Sequence, residues 1–395
     1  MDFVLATTVI ATLFVVIGLA EPLAAKIDLP FSVILAALGA LIGTGALFFL
    51  QTELTDALNP AAEAILGFPI KSNVFLYLFL PTLLFQATLG MNLRRMLDDW
   101  VPILVMAIVA VLVATVSVGY ALSYASALPL AACLLLGSIV STTDPSAVVS
   151  IFRSIAAPQR LSRIIEGESL LNDAAAVALF GLFMGFVMIG APNPTVQDAL
   201  REFPVLLAGG VLTGWLIARF GIWVMAAFED YELAQISISV ALPYLAFIGA
   251  EQSVGASGVI AVVAAGVTLN LAAPGRLTPQ AWSRLSEIWE VLAYWAGAFI
   301  FILAAILIPR FLSDLRVGDI GLLVVVIAAA VGARAAVLYG LLPLLSLARV
   351  SPAVDRPYRV AMLWGGLRGA VTLALALAVT ENERVPDEVQ RIVGI

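Results

Sequence analysis

The chain of 395 residues has no histidine, a single cysteine and only 12% charged residues. Each scarcity closes off some chemistry. Without histidine the commonest proton shuttle and metal ligand is missing, so proton transfer near neutral pH falls to carboxylates in surroundings that disfavour their charge. Cys133, alone in a hydrophobic stretch, can form no intramolecular disulfide and no thiolate metal cluster, and says nothing about redox compartment. Zinc or copper would need the imidazoles or thiolates that are lacking. The shortage of charge has a counterpart, because 62% of the residues are hydrophobic and the mean hydropathy is +1.07, far from an ordinary soluble domain. The net charge of −7 is spread over loops rather than gathered in a tail, which gives no reason to expect nucleic acid as a partner. This is the composition of an all-α polytopic protein whose main solvent is the lipid bilayer.

A helix needs about 20 apolar residues to cross a bilayer. That length fits stretches near 2–20, 31–50, 73–90, 100–122, 128–151, 169–190, 204–226, 233–250, 256–272, 288–308, 318–345 and 360–378, which makes twelve predicted spans in one transmembrane domain, 1–395. The first begins Met1-Asp2 with no basic segment and is long for a signal-peptide core, so it counts as a span. The tail from Val385 to Ile395 ends as another apolar stretch begins, which predicts a thirteenth. Loops after odd-numbered spans carry eleven Lys and Arg, from Lys26 to Arg359, against four in the alternate loops, or six with Arg384 and Arg391. The positive-inside bias therefore puts the first set in the cytoplasm and the N-terminus outside.

Two spans contain helix breakers. The fifth carries Thr143-Asp144-Pro145 past its middle, and the twelfth carries Trp364-Gly365-Gly366-Leu367-Arg368-Gly369. Proline removes a backbone donor and clashes with the preceding turn, and clustered glycines weaken a helix. The two spans are an odd number apart, so equivalent segments would run in opposite directions, as in transporters built from inverted repeats with a site where broken helices meet. The plainer reading is a structural kink and packing glycines, which are common in membrane helices.

Charge inside these spans sharpens the choice. Carboxylates at membrane depth are costly and tend to mark ion or proton pathways. On a helix through the sixth span, Ser169 and Asp173 share one face while Glu168 and Asn172 share the adjoining one. The first stripe, with unwound carbonyls near Thr143, offers the oxygens of mixed charge that a small alkali cation wants. A lone Asp could instead be a hydrogen-bond partner between helices. Arg334 and Arg368 also lie at membrane depth, and each needs a carboxylate or helix C-terminal carbonyls. Glu168 is the preferred partner for Arg334, with Arg368 as the competing choice. Arg219 reads as a snorkelling side chain at the end of its span.

Thr143-Asp144-Pro145-Ser146-Ala147-Val148, the run from Gly167 to Ala174, and Gly365-Gly366-Leu367-Arg368-Gly369-Ala370-Val371 resemble, in order and spacing, signature segments of cation/proton antiporters of the sodium/proton exchanger type. The bacterial NhaP-like branch is the most similar, and Phe79-Leu80-Pro81-Thr82-Leu83-Leu84-Phe85 resembles its third-span segment. The resemblance implies a thirteen-helix fold, a homodimer and an elevator-like mobile core. In that frame 2–90 and 233–308 would be scaffold, 100–190 and 318–395 the core, and 204–226 the linking helix. It implies that Asp173 binds the ion and the proton, that Asp144 and Ser169 help coordinate the ion, and that the Thr143 backbone adds a carbonyl. Asn172 would stand where electrogenic relatives have a second aspartate, and Glu168 would hold an arginine. Gln86 departs from the acid that exchangers often carry just after the third-span segment.

The expected activity is secondary antiport, not enzymatic catalysis: Na+ or Li+ exchanged for H+ across the cell membrane, with K+/H+ exchange as the alternative and no cofactor beyond the transported ions. Proton and cation would compete for one carboxylate, and uncharged Asn172 favours electroneutral one-for-one coupling. A cation channel could use the same acids, but channels favour rings in a pore over paired broken helices. An intramembrane aspartyl protease would need two carboxylates acting as a dyad.

Overall fold

A computed structural model describes residues 3–27, 29, 31–51, 59, 62–63, 75–90, 100–144, 152, 157–189, 196–313, 315–349, 353–364, 366, 368–380, 382 and 384–395. Among these residues every regular element is helical. The first half of the chain contributes α1 (Phe3–Ile27), α2 (Phe31–Gln51), a π-turn at Phe75–Phe79 leading into α3 (Leu80–Leu89), α4 (Trp100–Ala125), α5 (Leu130–Ser141) and α6 (Gln159–Ile189). Then come α7 (Val196–Ala227), α8 (Glu232–Ile248) with a π-turn at Gly249–Val254, α9 (Gly258–Ala272), α10 (Pro279–Ser313) and α11 (Val317–Ala336). A π-turn at Val337–Leu341 joins α11 to α12 (Leu342–Leu347), and α13 (Arg356–Trp364), α14 (Ala370–Thr380) and α15 (Asp387–Gly394) complete the described elements.

Among the described residues, nine helices are long and apolar enough to cross a membrane. Three predicted spans are represented instead by shorter apolar helices, Tyr77–Leu89, Leu130–Ser141 and Ala370–Thr380. Two of these are the spans with breakers. In the fifth, helical geometry stops at Ser141 and Thr142 is extended, with ψ at 144°. The break therefore starts ahead of Asp144-Pro145; Pro145 and 146–151 lie outside the described residues. In the twelfth, α13 and α14 are separate helices flanking 365–369, of which Gly365 and Leu367 are likewise outside.

Prolines open several helices, where a missing N–H costs nothing: Pro129 caps α5, Pro279 begins α10 and Pro386 caps α15. The π-turn after α8 ends at Gly255, whose φ of +67° suits a residue without a Cβ. Packing groups the helices into two bundles. In one, α4 and α5 lie side by side with α6 and α11 against them; in the other, α10 packs on α2 and α3 while α9 packs on α3, α7 and α8. Small residues allow the closest approaches, as expected where lipid removes the hydrophobic contrast between helices. Gly39 and Gly43 of α2 lie against backbone carbonyls of α10, and Gly210 and Gly214 of α7 against those of α9.

A methyl group on Gly214 would overlap the carbonyl of Ala261, whereas one on Gly18 would meet open space. Gly214→Ala is expected to destabilise the protein by about 1–3 kcal/mol through overpacking, and Gly18→Ala to leave it unchanged or slightly more stable. Thermal unfolding in detergent checks both; equal melting temperatures for the two variants would contradict the packing argument.

Candidate ion-binding site

The site is assembled where α6 passes the two interruptions. Because α5 stops at Ser141, the backbone of Thr142 and Thr143 is released from helical bonding and needs other partners at membrane depth. The neighbours supply them. Ser169 Oγ donates to the Thr143 carbonyl at 2.8 Å, and Arg368 Nη1 donates to the Thr142 carbonyl at 2.5 Å. Thr142 Oγ1 donates to Ile139 O at 3.2 Å and meets Thr372 Oγ1 of α14, which ties the break in α5 to the helix beyond the second break.

On the adjoining face of α6 the side chains form a network in which Asn172 Oδ1 is buried without a hydrogen-bond partner among the described residues. Glu168 and Asn172 are 2% and 1% exposed, so their polar atoms need partners. Asn172 Nδ2 donates to Thr143 Oγ1 at 2.8 Å and to Glu168 Oε1 at 3.5 Å. Arg334 of α11 donates through Nε to the Met362 carbonyl at 2.9 Å and through Nη1 to Thr143 Oγ1 at 3.3 Å. The same Nη1 lies 3.7 Å from Glu168 Oε1. Arg334, rather than Arg368, is thus the cation beside Glu168, while Arg368 serves a carbonyl at the C-terminal end of α5. Ser141, Thr143, Glu168, Asn172, Arg334 and Arg368 all line one small cavity of about 30 Å³.

Asp173 points elsewhere. Among the described residues no hydrogen bond or ion pair holds it, and its charged neighbours are the carboxylates of Asp144 and Glu168. Asp144 sits against the start of α14: a Cβ on Gly369 would be 2.9 Å from the Asp144 Cβ and 3.2 Å from its Oδ2. A helix N-terminus favours such a negative group. Asp173, Asp144, Ser169 and the Thr143 carbonyl are therefore brought to one region, with Glu168, Asn172 and Arg334 packed behind it. Ser169 and Thr143 already satisfy each other, yet a hydroxyl and a carbonyl oxygen each keep a lone pair for a further ligand.

Three features escaped the sequence reading. The first is Gly366, where a Cβ would be 2.9 Å from Arg334 Nε, so this glycine makes room for the guanidinium. The second is Thr372, which follows the glycine-rich break and has no charge to draw notice. The third is Glu251, whose Oε2 accepts from Tyr77 Oη at 3.0 Å. An acid near the end of the eighth apolar span was the available signal. Glu251 and Tyr77 line a cavity of about 470 Å³ whose other wall includes Val177, Gly181 and Met184 of α6, on the stripe that continues from Asp173.

The network makes a stability prediction. Removing one partner of a buried pair strands the other, typically at roughly 3–5 kcal/mol. Glu168→Ala and Arg334→Ala should each lower the unfolding temperature, and the double variant should lose much less than the sum. Additive losses in this cycle would show that the two charges do not depend on one another.

Residues 9–392 match the family described as sodium/hydrogen exchanger, transmembrane. The Na(+)/H(+) antiporter ApNhaP of Aphanothece halophytica is 33% identical over 78% of this chain and 58% of its own length. The low-affinity Na(+)/H(+) antiporter NhaS1 of Synechocystis is 30% identical over 79% of this chain and 59% of its own. For the Na(+)/H(+) antiporter NhaP of Pseudomonas aeruginosa the figures are 31%, 78% and 73%. The chain thus spans less than two thirds of the first two relatives. The structure of the sodium proton antiporter MjNhaP1 from Methanocaldococcus jannaschii at pH 8 superposes with a TM-score of 0.73 over 100% of this chain and 92% of that one, at 19% identity, and so shares its fold. With its two interrupted helices and its polar α6, the chain belongs to the family of transmembrane sodium/hydrogen exchangers.

Proposed function

We propose that this protein is a secondary antiporter of the cell membrane that exchanges Na+, or Li+, for H+ one for one. The observation that carries the reading is the placing of Asp173: a carboxylate with no ion-pair partner among the described residues, beside Asp144 and next to oxygens released by a broken helix. The names of the relatives, each a Na(+)/H(+) antiporter, support the same substrates. Asp173, Asp144, Ser169 and the Thr143 carbonyl would bind the cation, and Asp173 would carry the proton. Glu168, Asn172 and Arg334 would hold the site's shape, with Arg368 tying down the end of α5. The cavity bounded by Val177, Gly181 and Glu251 would be the water-filled approach from one side.

The cycle needs little more than competition for one carboxylate. An unpaired negative charge is costly at this depth, so the segment carrying Asp173 moves readily only when a proton or a cation neutralises it. The division into two bundles supports an elevator in which 100–190 and 318–395 move against 2–90 and 233–308, with 204–226 linking them, in a homodimer. The twelve predicted spans, a thirteenth beyond them, inverted repeats and an outside N-terminus belong to the same proposal. Exchange of K+ for H+ is the alternative within the same fold.

Asp173→Asn preserves size and hydrogen bonding while removing the titratable charge. In proteoliposomes it should abolish sodium-driven proton movement and proton-driven sodium movement together, with folding intact; retained coupled transport would remove Asp173 from the mechanism. Electroneutrality has its own test, since Asn172 stays uncharged throughout the cycle. The sodium gradient that nulls a fixed pH gradient should equal it and should not shift under an imposed potassium–valinomycin voltage, and a voltage-dependent null point would overturn one-for-one coupling.

A further inference from the structure

We propose that the C-terminal end of α12 and the N-terminal end of α13 form a binding site for the headgroup of an anionic phospholipid, at the membrane-surface end of the helix that leads into the second break. The proposal does not depend on the transported ion. Between Arg349 and Arg359 the sequence has three arginines and one acid, Asp355. Arg349 closes α12, and Arg356 and Arg359 lie three apart in the first turn of α13, on one face.

Depth follows from helix geometry. The nine residues of α13 rise about 13 Å, close to half of a hydrocarbon core of about 30 Å. With Trp364 and the glycine-rich break near the midplane, Arg356 stands at headgroup level. Tyr358 and Met362 turn inward to an apolar cluster with Phe152 and Leu338, which fixes the helix against α12 and its π-turn. Arg349 and Arg356 are left exposed and Arg359 half-buried.

Two details go beyond the general excess of positive charge on one side of a membrane. Arg359 lies over the ring of Tyr339, with Cζ 5.4 Å from its centroid, and its Nε is buried with no hydrogen-bond partner among the described residues. Stacking holds the planar fork ready for an oxyanion. Arg349 adopts a left-handed backbone, φ +60°, at a helix end where glycine is usual. An arginine kept in that strained position points to use of its side chain. Leu344 and Leu347 on α12 are 61% and 82% exposed, an apolar surface for acyl chains just before Arg349 in the chain. Phosphate between the arginines with chains along these leucines is the signature of a lipid rather than of a free anion.

The test uses the full chain in detergent micelles, with thermal unfolding followed during titration with phosphatidylglycerol, phosphatidylcholine or inorganic phosphate. Phosphatidylglycerol should raise the melting temperature saturably and the other two should not. Each interfacial arginine contributes enough that Arg349→Gln/Arg356→Gln/Arg359→Gln should need roughly a hundredfold more phosphatidylglycerol for the same shift. Arg276→Gln/Arg384→Gln, removing arginines elsewhere, should respond like the unaltered protein. Arg356→Gln alone, at an exposed position that folding does not need, should weaken the response roughly fivefold. An equal shift with phosphatidylcholine, an equal shift with inorganic phosphate, or an unchanged response of Arg356→Gln would each overturn the proposal.

Discussion

Backbone that leaves a helix inside a membrane must find new hydrogen-bond partners, because lipid offers none and each unmet group is costly. This requirement organises the centre of the molecule. Where α5 ends at Ser141, the freed carbonyls of Thr142 and Thr143 are taken by Arg368 and Ser169, and the hydroxyl of Thr143 is shared by Asn172 and Arg334. One interruption thereby draws α6, α11 and the second interruption to itself. The second interruption complements it, since its glycines admit the Arg334 guanidinium at Gly366 and the Asp144 carboxylate at Gly369.

Charge within this centre falls into two parts with different consequences. Glu168 and Arg334 lie beside one another and are braced by Asn172, Thr143 and the Met362 carbonyl. Asp173, on the same helix as Glu168, has like charges as its neighbours. Two acids on α6 therefore have opposite surroundings, one beside a guanidinium and the other beside like charges. In the proposed cycle the coupling of the two fluxes follows from that asymmetry. A second titratable carboxylate at position 172 would blur it, because interacting sites share their protons.

Packing sets what can move around this centre. Glycines press α2 onto α10 and α7 onto α9 within one bundle, where close backbone contact through small residues resists sliding. In the proposed cycle the bundle of α4, α5, α6 and α11, which carries the polar network, would travel as a unit. Helix α13 packs on α11 and its π-turn and runs directly into the break that supplies Arg368. A lipid held at the membrane-surface end of α13 would act on the site through a single short helix.

The sequence by itself determined the class of the molecule. Hydropathy and length point to the spans, because the bilayer imposes a thickness that composition must match, and the breakers at 143–145 and 364–369 lie within a few residues of the helix ends at Ser141 and Trp364, because Pro and Gly act through local backbone energetics. The stripe of Ser169 and Asp173 and its neighbour of Glu168 and Asn172 were legible for the same reason, since the helical period is fixed. Tertiary structure decided the rest. That Glu168 lies beside Arg334 while Arg368 reaches a carbonyl, that Gly366 and Gly369 are spaces for particular side chains, and that Glu251 meets Tyr77 all depend on which helices become neighbours. Those choices arise from contacts between residues far apart in the chain, 226 positions in the case of Arg368 with Thr142, which no local periodicity encodes.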